Sequence, residues 1–225
     1  MKLYPYFKRE LDLVSVFNTY LKSGGLPTQA RVALEFESGH GIADIVIFGV
    51  DHLFKQRAVE FAKIPPRYAV VFGRELLLKK FSSQQFSEIT GTGLSASTRI
   101  LNMLVKQEAL KRLENGEYES FNKFVSPVGP IISIEAKLRD WRSALRQAYR
   151  YREFSNQSWV LLDAARILPA LNQLKLFVRS GVGLASINTT GQLFIHHEPA
   201  ATEPFSESRY WAACVQLTRQ QMKEL

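Results

Sequence analysis

The sequence predicts an α/β protein, a mixed sheet flanked by helices and interrupted by a helical insert. Three observations carry that expectation. Alternating apolar strands occupy the first 50 residues and return after residue 127, amphipathic helices separate the later strands, and the stretch between turns mostly helical. The outer segments read α-β-β, then β-α-β-α-β-β. Residues 1–50 and 127–225 are therefore expected to form one discontinuous α/β domain around an insert at residues 51–126.

A first helix is expected over residues 4–21, where Phe7, Leu11, Val14 and Phe17 recur at helical spacing with Glu10 beside them. The run Ser23-Gly24-Gly25 ends it. Strands at 31–37 and 41–50 follow, joined by Ser38-Gly39-His40 as a hairpin. Ile42, Asp44, Val46 and Phe48 share one face of the second strand. A carboxylate in so apolar a run needs a partner or a cation, because an unpaired buried charge costs several kcal/mol, roughly.

Within the insert, residues 68–80 and 82–89 read as helices, the latter capped by Ser82 or Ser83. After the turn Gly91-Thr92-Gly93, a third helix starts at Ser95 and runs to about Ala109. Residues 110–121 then form a hairpin around Asn115-Gly116. Helix, helix, turn, helix, hairpin is the element order of a winged helix-turn-helix, which the run from Phe86 to Lys106 resembles. Its third helix presents Ser95, Arg99, Asn102 and Lys106 on one side, a set suited to phosphate and base-edge contacts. The same module is also compatible with docking a partner protein or a second copy of the chain.

The second part of the outer domain opens at Gly129. Ser133, Glu135 and Lys137 alternate with Ile132, Ile134, Ala136 and Leu138, so an acid and a lysine point the same way from a strand whose other face is buried. A helix follows with Trp141, Ala144, Leu145 and Ala148 on an apolar face and Arg142, Arg146 and Arg150 as a basic stripe roughly opposite. Gln147 and Tyr151 are placed together on the border of those faces. Residues 158–164 form an apolar strand suited to a buried parallel position. A helix over 168–180 stops at Gly181, and strands at 182–188 and 192–197 flank Thr190-Gly191. The tail from Glu198 holds a last helix whose role the pattern does not reveal.

Composition narrows the partners. Twenty-nine basic against 21 acidic residues give a net charge of +8 and a pI near 9.6, which suits a nucleic acid or another acidic surface. A single cysteine, Cys214, excludes an intramolecular disulfide and any zinc site built on several cysteines. The N-terminal residues lack a signal-peptide core and no stretch has the length and apolarity of a membrane span, so a cytoplasmic protein with no membrane partner is expected.

Asp44 in Gly-Ile-Ala-Asp-Ile-Val, Ile-Glu-Ala-Lys at 134–137, and Gln147 with Tyr151 together resemble the PD-(D/E)xK nuclease superfamily. The Gln-x-x-x-Tyr helix is similar to that of its RecB-like branch. Ala43 stands where the naming proline would precede Asp44. The resemblance implies a restriction-endonuclease-like sheet and a metal-dependent deoxyribonuclease that leaves a 5′ phosphate. DNA is the expected polynucleotide, with RNA left open. It further implies that Asp44 and Glu135 bind Mg²⁺ or Mn²⁺, with Glu10 and the Ala136 carbonyl as further ligands. Lys137 would orient or activate the attacking water, and Gln147 and Tyr151 would position the substrate backbone. Because the insert enters after the Asp44 strand and leaves just before the Glu135 strand, the two acids can be neighbours in space despite their distance in sequence. Two other readings share this scaffold, a non-catalytic DNA-binding or regulatory protein and an interaction subunit of a larger complex. His196-His197 lacks a matching acid cluster and is not taken as a metal site.

Overall fold

The computed structural model describes residues 5–39, 41–74, 80–120 and 125–224. The chain divides into two compact units, residues 1–50 with 130–206 and residues 51–129 with 207–225. His40 of the expected turn, residues 75–79 of the expected second helix and Phe121 of the expected hairpin lie outside the described residues.

The first unit is built on a six-stranded mixed sheet. Helix α1 (Glu10–Tyr20) runs into a π turn at Leu21–Gly25, where Gly24 adopts φ 119°. It starts later than its apolar spacing suggests, because Arg9 is extended and serves as the N-cap. Strands β1 (Ala30–Glu37) and β2 (Ile42–Val50) pair antiparallel, as the short turn between them requires. Phe7, Leu13, Phe17 and Leu21 pack with Ile45, Ile134, Ala136, Leu161 and Ile187, so the helix buries the odd-numbered face of β2.

The second unit begins with α2 (Phe54–Lys63), a helix that the sequence pattern does not single out. Helix α3 is described over Ala69–Arg74, and Lys80–Phe81, where the expected helix 68–80 would end, is instead a strand, β3. Two aromatic neighbours explain the register of β3: Phe81 packs against Phe86 and Tyr118. Helix α4 (Ser83–Thr90) carries a complete capping box from Ser82 and Gln85 and ends on left-handed Gly91. Helix α5 (Leu94–Lys106) precedes β4 (Leu110–Arg112) and β5 (Tyr118–Ser120). These pair antiparallel in a three-stranded sheet ordered β3-β5-β4.

Strand β6 (Val128–Lys137) returns to the first sheet, followed by α6 (Trp141–Tyr151), β7 (Gln157–Asp163), α7 (Leu168–Leu171), α8 (Leu174–Ser180), β8 (Gly183–Ile187) and β9 (Leu193–His197). The sheet order is β1-β2-β6-β7-β8-β9, with β6, β7 and β8 parallel and β9 antiparallel to β8. The expected helix at 168–180 is broken into α7 and α8 at Asn172-Gln173, and Gly181 ends it at φ 62°. Trp141, Ala144 and Ala148 pack with Val160, Leu162, Phe177 and Leu184, covering the sheet face opposite α1. Both faces of β6 are therefore buried, not only one, and Ser133 and Glu135 are as inaccessible as Ile131. Ser133 meets this cost through hydroxyl contacts with Ser155 and Ser158 at 2.9 and 2.7 Å.

The last helix, α9 (Glu207–Lys223), groups with residues 51–129 and not with the sheet. Arg219 donates to the carbonyls of Ala62 and Ile64 at 2.8 and 3.0 Å, and Trp211 packs on Phe61. The expected 127–225 grouping thus differs from the compact units at both of its ends.

Candidate active site

Three elements of the first unit bring their charged residues together: α1, β2 and β6. Since β2 and β6 are neighbours in the sheet, Asp44 reaches the strand that carries Glu135 and Lys137. Its Oδ2 accepts the Ala136 backbone N–H at 2.7 Å, between those two residues. Lys137 Nζ lies 3.0 Å from Glu135 Oε1 and 3.2 Å from Glu10 Oε2, so one ammonium bridges two acids far apart in sequence. Glu10 occupies the first turn of α1, where the helix dipole favours a carboxylate.

The electrostatics are those of crowded, partly desolvated acids. Burial raises the Asp44 carboxyl above its ordinary pKa, the Ala136 N–H and Lys137 oppose that, and Glu10 and Glu35 add to it. Burial likewise raises Glu135, the Asp44 charge adds to it, and Lys137 and Tyr151 counter it in part. Burial alone would lower the Lys137 ammonium, but its bond to Glu135 and the surrounding negative charge leave it raised and charged. Glu35 stands on β1 between the pairs Leu34–Ile45 and Phe36–Ala43 with φ 49°, an uncommon conformation for a glutamate.

Tyr151 and Gln147 do not share an environment. Tyr151 is 1% exposed and lies on the sheet-facing side of α6, its hydroxyl 2.8 Å from Glu135 Oε2 and 2.6 Å from the Ile42 carbonyl. Burial and the Glu135 charge push its pKa up, so it remains a phenol. Gln147 is half-buried one turn earlier, and its Oε1 accepts from Ser143 Oγ at 3.3 Å. Arg142, Arg146 and Arg150 are exposed, with the Arg142 guanidinium 4.4 Å over the Trp141 ring. Asp140 caps α6 by accepting the Ser143 N–H.

One contributor escapes a reading of motifs alone. Asp163, fully buried at the C-terminal end of β7, accepts the Phe7 N–H at 3.0 Å and the Ala165 N–H at 2.9 Å. It thereby fixes the chain three residues before Glu10. The signal available in the sequence is a lone acid closing an apolar parallel strand, the end at which α/β sheets place their ligands.

The acids fit a hard divalent cation by chemistry. Their donors are carboxylate oxygens, and Asp44 Oδ1 makes no hydrogen bond among the described residues. Burial first, and the charge of neighbouring acids after it, raise the pKa values of Asp44 and Glu135, and a cation would offset the negative charge they hold when ionised. No group of three or more His, Cys, Asp or Glu side chains among the described residues stands in a metal-holding arrangement, and the Lys137 ammonium supplies the positive charge between Glu135 and Glu10. His196 is not part of this site; its Nε2 lies 2.8 Å from Ser186 Oγ, and burial lowers its pKa.

In the second unit, Ser95, Arg99 and Lys106 are exposed on α5. Asn102 is partly committed, since its Oδ1 accepts the Tyr118 hydroxyl at 3.0 Å and so ties the helix to the hairpin.

Comparison with known proteins found no matching family model, no matching curated protein and no matching solved structure. No helix among the described residues is long and apolar enough to cross a membrane.

Proposed function

We propose that the protein is a metal-dependent nuclease of PD-(D/E)xK type, in which the second unit, read as a winged helix-turn-helix, helps engage DNA. The observation that carries this reading is the Asp44–Ala136 bond. It sets the Asp44 carboxylate beside Glu135 and Lys137, on the far side of the insert in sequence. Asp44 and Glu135, with Glu10 and the Ala136 carbonyl, are the residues that would hold Mg²⁺ or Mn²⁺. Such an ion polarises a phosphoryl oxygen and acidifies bound water. The chain's own residues do the rest. Lys137 offsets charge developing on the phosphate and orients the nucleophile, Tyr151 helps to orient Glu135, and Gln147 faces the substrate backbone. Arg142, Arg146 and Arg150 present phosphate-binding charge.

The test is cleavage of labelled single-stranded and duplex DNA with Mg²⁺ or Mn²⁺. Activity should require the metal and fall by about a hundredfold or more in Lys137→Ala, the scale of losing one electrostatic stabiliser, while circular dichroism stays unchanged. Metal-independent cleavage, or full activity without Lys137, refutes the assignment. Exposed Met103, on the same side of α5 as Arg99 and Lys106, favours a second reading, in which this helix docks a protein partner and not DNA.

A further inference from the structure

Beside the acids, an open pocket of about 590 Å³ is lined by Tyr6, Phe7, Lys8, Glu10, Leu138, Arg139, Asp140 and Arg166. Every one of these belongs to the first unit. Glu10 is the wall shared with the candidate active site, because its carboxylate also meets Lys137. Three cations line this pocket, and the two acids among its lining residues are engaged elsewhere. Glu10 is bridged to Lys137, and Asp140 caps α6. Lys8 and Arg139 are exposed and make no ion pair or side-chain hydrogen bond among the described residues.

Arg166 differs from them. Its side chain is 19% exposed, its Nε is 3.9 Å from Asp163 Oδ2, and its guanidinium lies 4.7 Å from the Tyr6 ring centroid. Asp163 spends its short hydrogen bonds on the Phe7 and Ala165 N–H groups, so the guanidinium is held in place without being neutralised at bonding distance. Tyr6 itself is 60% exposed although it carries a cation on its ring. A preset guanidinium, two free cations and an accessible aromatic ring match the two halves of a nucleotide, its phosphate and its base. The volume lies within the ordinary range for ligand pockets, about 300–1,000 Å³.

We infer that this pocket is a nucleotide subsite, in which Lys8, Arg139 and Arg166 hold a phosphate of a polynucleotide strand and Tyr6 stacks on the adjoining unpaired base. A base inside a duplex has both faces covered by its neighbours and offers none to a side chain. The subsite therefore selects a strand that is single or frayed at the position next to the acids. The inference rests on reading the acids as a phosphodiester site and names the kind of strand that site receives.

The test uses the full chain with EDTA present, so that binding is read without cleavage, by anisotropy of a labelled dT12 single strand and of a blunt duplex. Wild type should bind dT12 more tightly than the duplex. The Lys8→Ala/Arg139→Ala double variant should lose about tenfold for dT12, with the slope of log K on log salt falling by about 0.7 for each phosphate contact removed. Tyr6→Leu should lose a similar factor, and Tyr6→Phe, which keeps the ring, should not. The substituted side chains are exposed, so the variants are expected to fold, which circular dichroism checks. Unchanged dT12 affinity in the double variant and in Tyr6→Leu overturns the subsite. So does competition by inorganic phosphate that depends on Lys8 and Arg139 when dT12 binding does not, since the occupant is then a free phosphate. The two readings fail separately. Dependence on Tyr6, Lys8 and Arg139 in a chain that cleaves nothing keeps the subsite and removes the nuclease. Metal- and Lys137-dependent cleavage with binding indifferent to those residues does the reverse.

Discussion

The Tyr151 hydroxyl stands between two acceptors, 2.8 Å from Glu135 Oε2 and 2.6 Å from the Ile42 carbonyl, and joins α6 to both β6 and β2. A phenol has one hydrogen, so these acceptors compete for it while Glu135 is ionised. The tyrosine therefore acts as a spacer between the strands that bear the acids.

Tyr151→Phe removes the single donor that the Glu135 carboxylate and the Ile42 carbonyl share. The expected cost is about 1–3 kcal/mol, visible as a fall in Tm of about 2–4 °C for each kcal/mol in a chain of this size. Thermal unfolding at neutral pH checks it, and an unchanged Tm would show that water replaces the hydroxyl without loss. In a cleavage assay the variant should also be impaired, because Glu135 loses its orienting bond.

Asp44→Asn should stabilise the protein at pH 7 while abolishing cleavage. Asp44 and Glu135 both keep their protons to higher pH in the folded chain than at their ordinary values of 3.8 and 4.5. The folded state thus binds more protons than the unfolded one. The stability these groups contribute is fully present below those values and is lost as pH rises through the raised ones. Asparagine keeps an oxygen for the Ala136 N–H and removes one of the repelling charges. A gain of about 1 kcal/mol, or about 2–4 °C, is expected at pH 7, shrinking toward pH 4. Mg²⁺ should raise the Tm of the wild type and not that of the variant. A wild type more stable than Asp44→Asn at pH 7 without metal contradicts this account.

How much of this was readable beforehand differs from residue to residue. That Asp44 and Glu135 meet follows from an insert that opens after one strand and closes before its neighbour. Tyr151 does not yield to the same reasoning. A helical wheel places it near Gln147, but its depth is set by Ala144 and Ala148, whose small side chains let α6 lie close to the sheet. Its partner is a strand residue, which no periodicity within the helix can reveal. The break at Asn172-Gln173 is hidden because Leu171, Leu174 and Phe177 keep a helical spacing across it. The last helix shows a buried face in its pattern, but a pattern does not name what it is buried against.

Arg99→Ala and Lys106→Ala address the second unit. If α5 meets duplex DNA, each substitution should weaken binding across sequences and flatten the salt slope by about 0.9. Titrations at several salt concentrations measure both. Unaltered affinity and slope would leave exposed Met103, which lies between Arg99 and Lys106 on α5, to a protein partner.

Gly181→Ala tests the end of α8. Gly181 sits at φ 62°, and an added Cβ would lie 2.8 Å from Arg152 Nη1, whose guanidinium donates to the Ser180 carbonyl at 2.6 Å. The left-handed backbone and the crowding together should cost about 1 kcal/mol or more. Denaturant titration should show a lower midpoint with an unchanged slope.

The chain passes between its two compact units three times, after residues 50, 129 and 206. Neither unit is therefore a continuous piece of polypeptide. When β2 and β6 pair, the ends of the intervening segment are brought together, which removes much of the loop-closure entropy that the second unit would otherwise lose on folding alone. The reverse holds when α9 finds its place and draws in the residues on either side of residue 206. The two units are thus thermodynamically linked through covalent connectivity itself. A nick in one segment should weaken the folding of the other even where the cut touches none of its side chains.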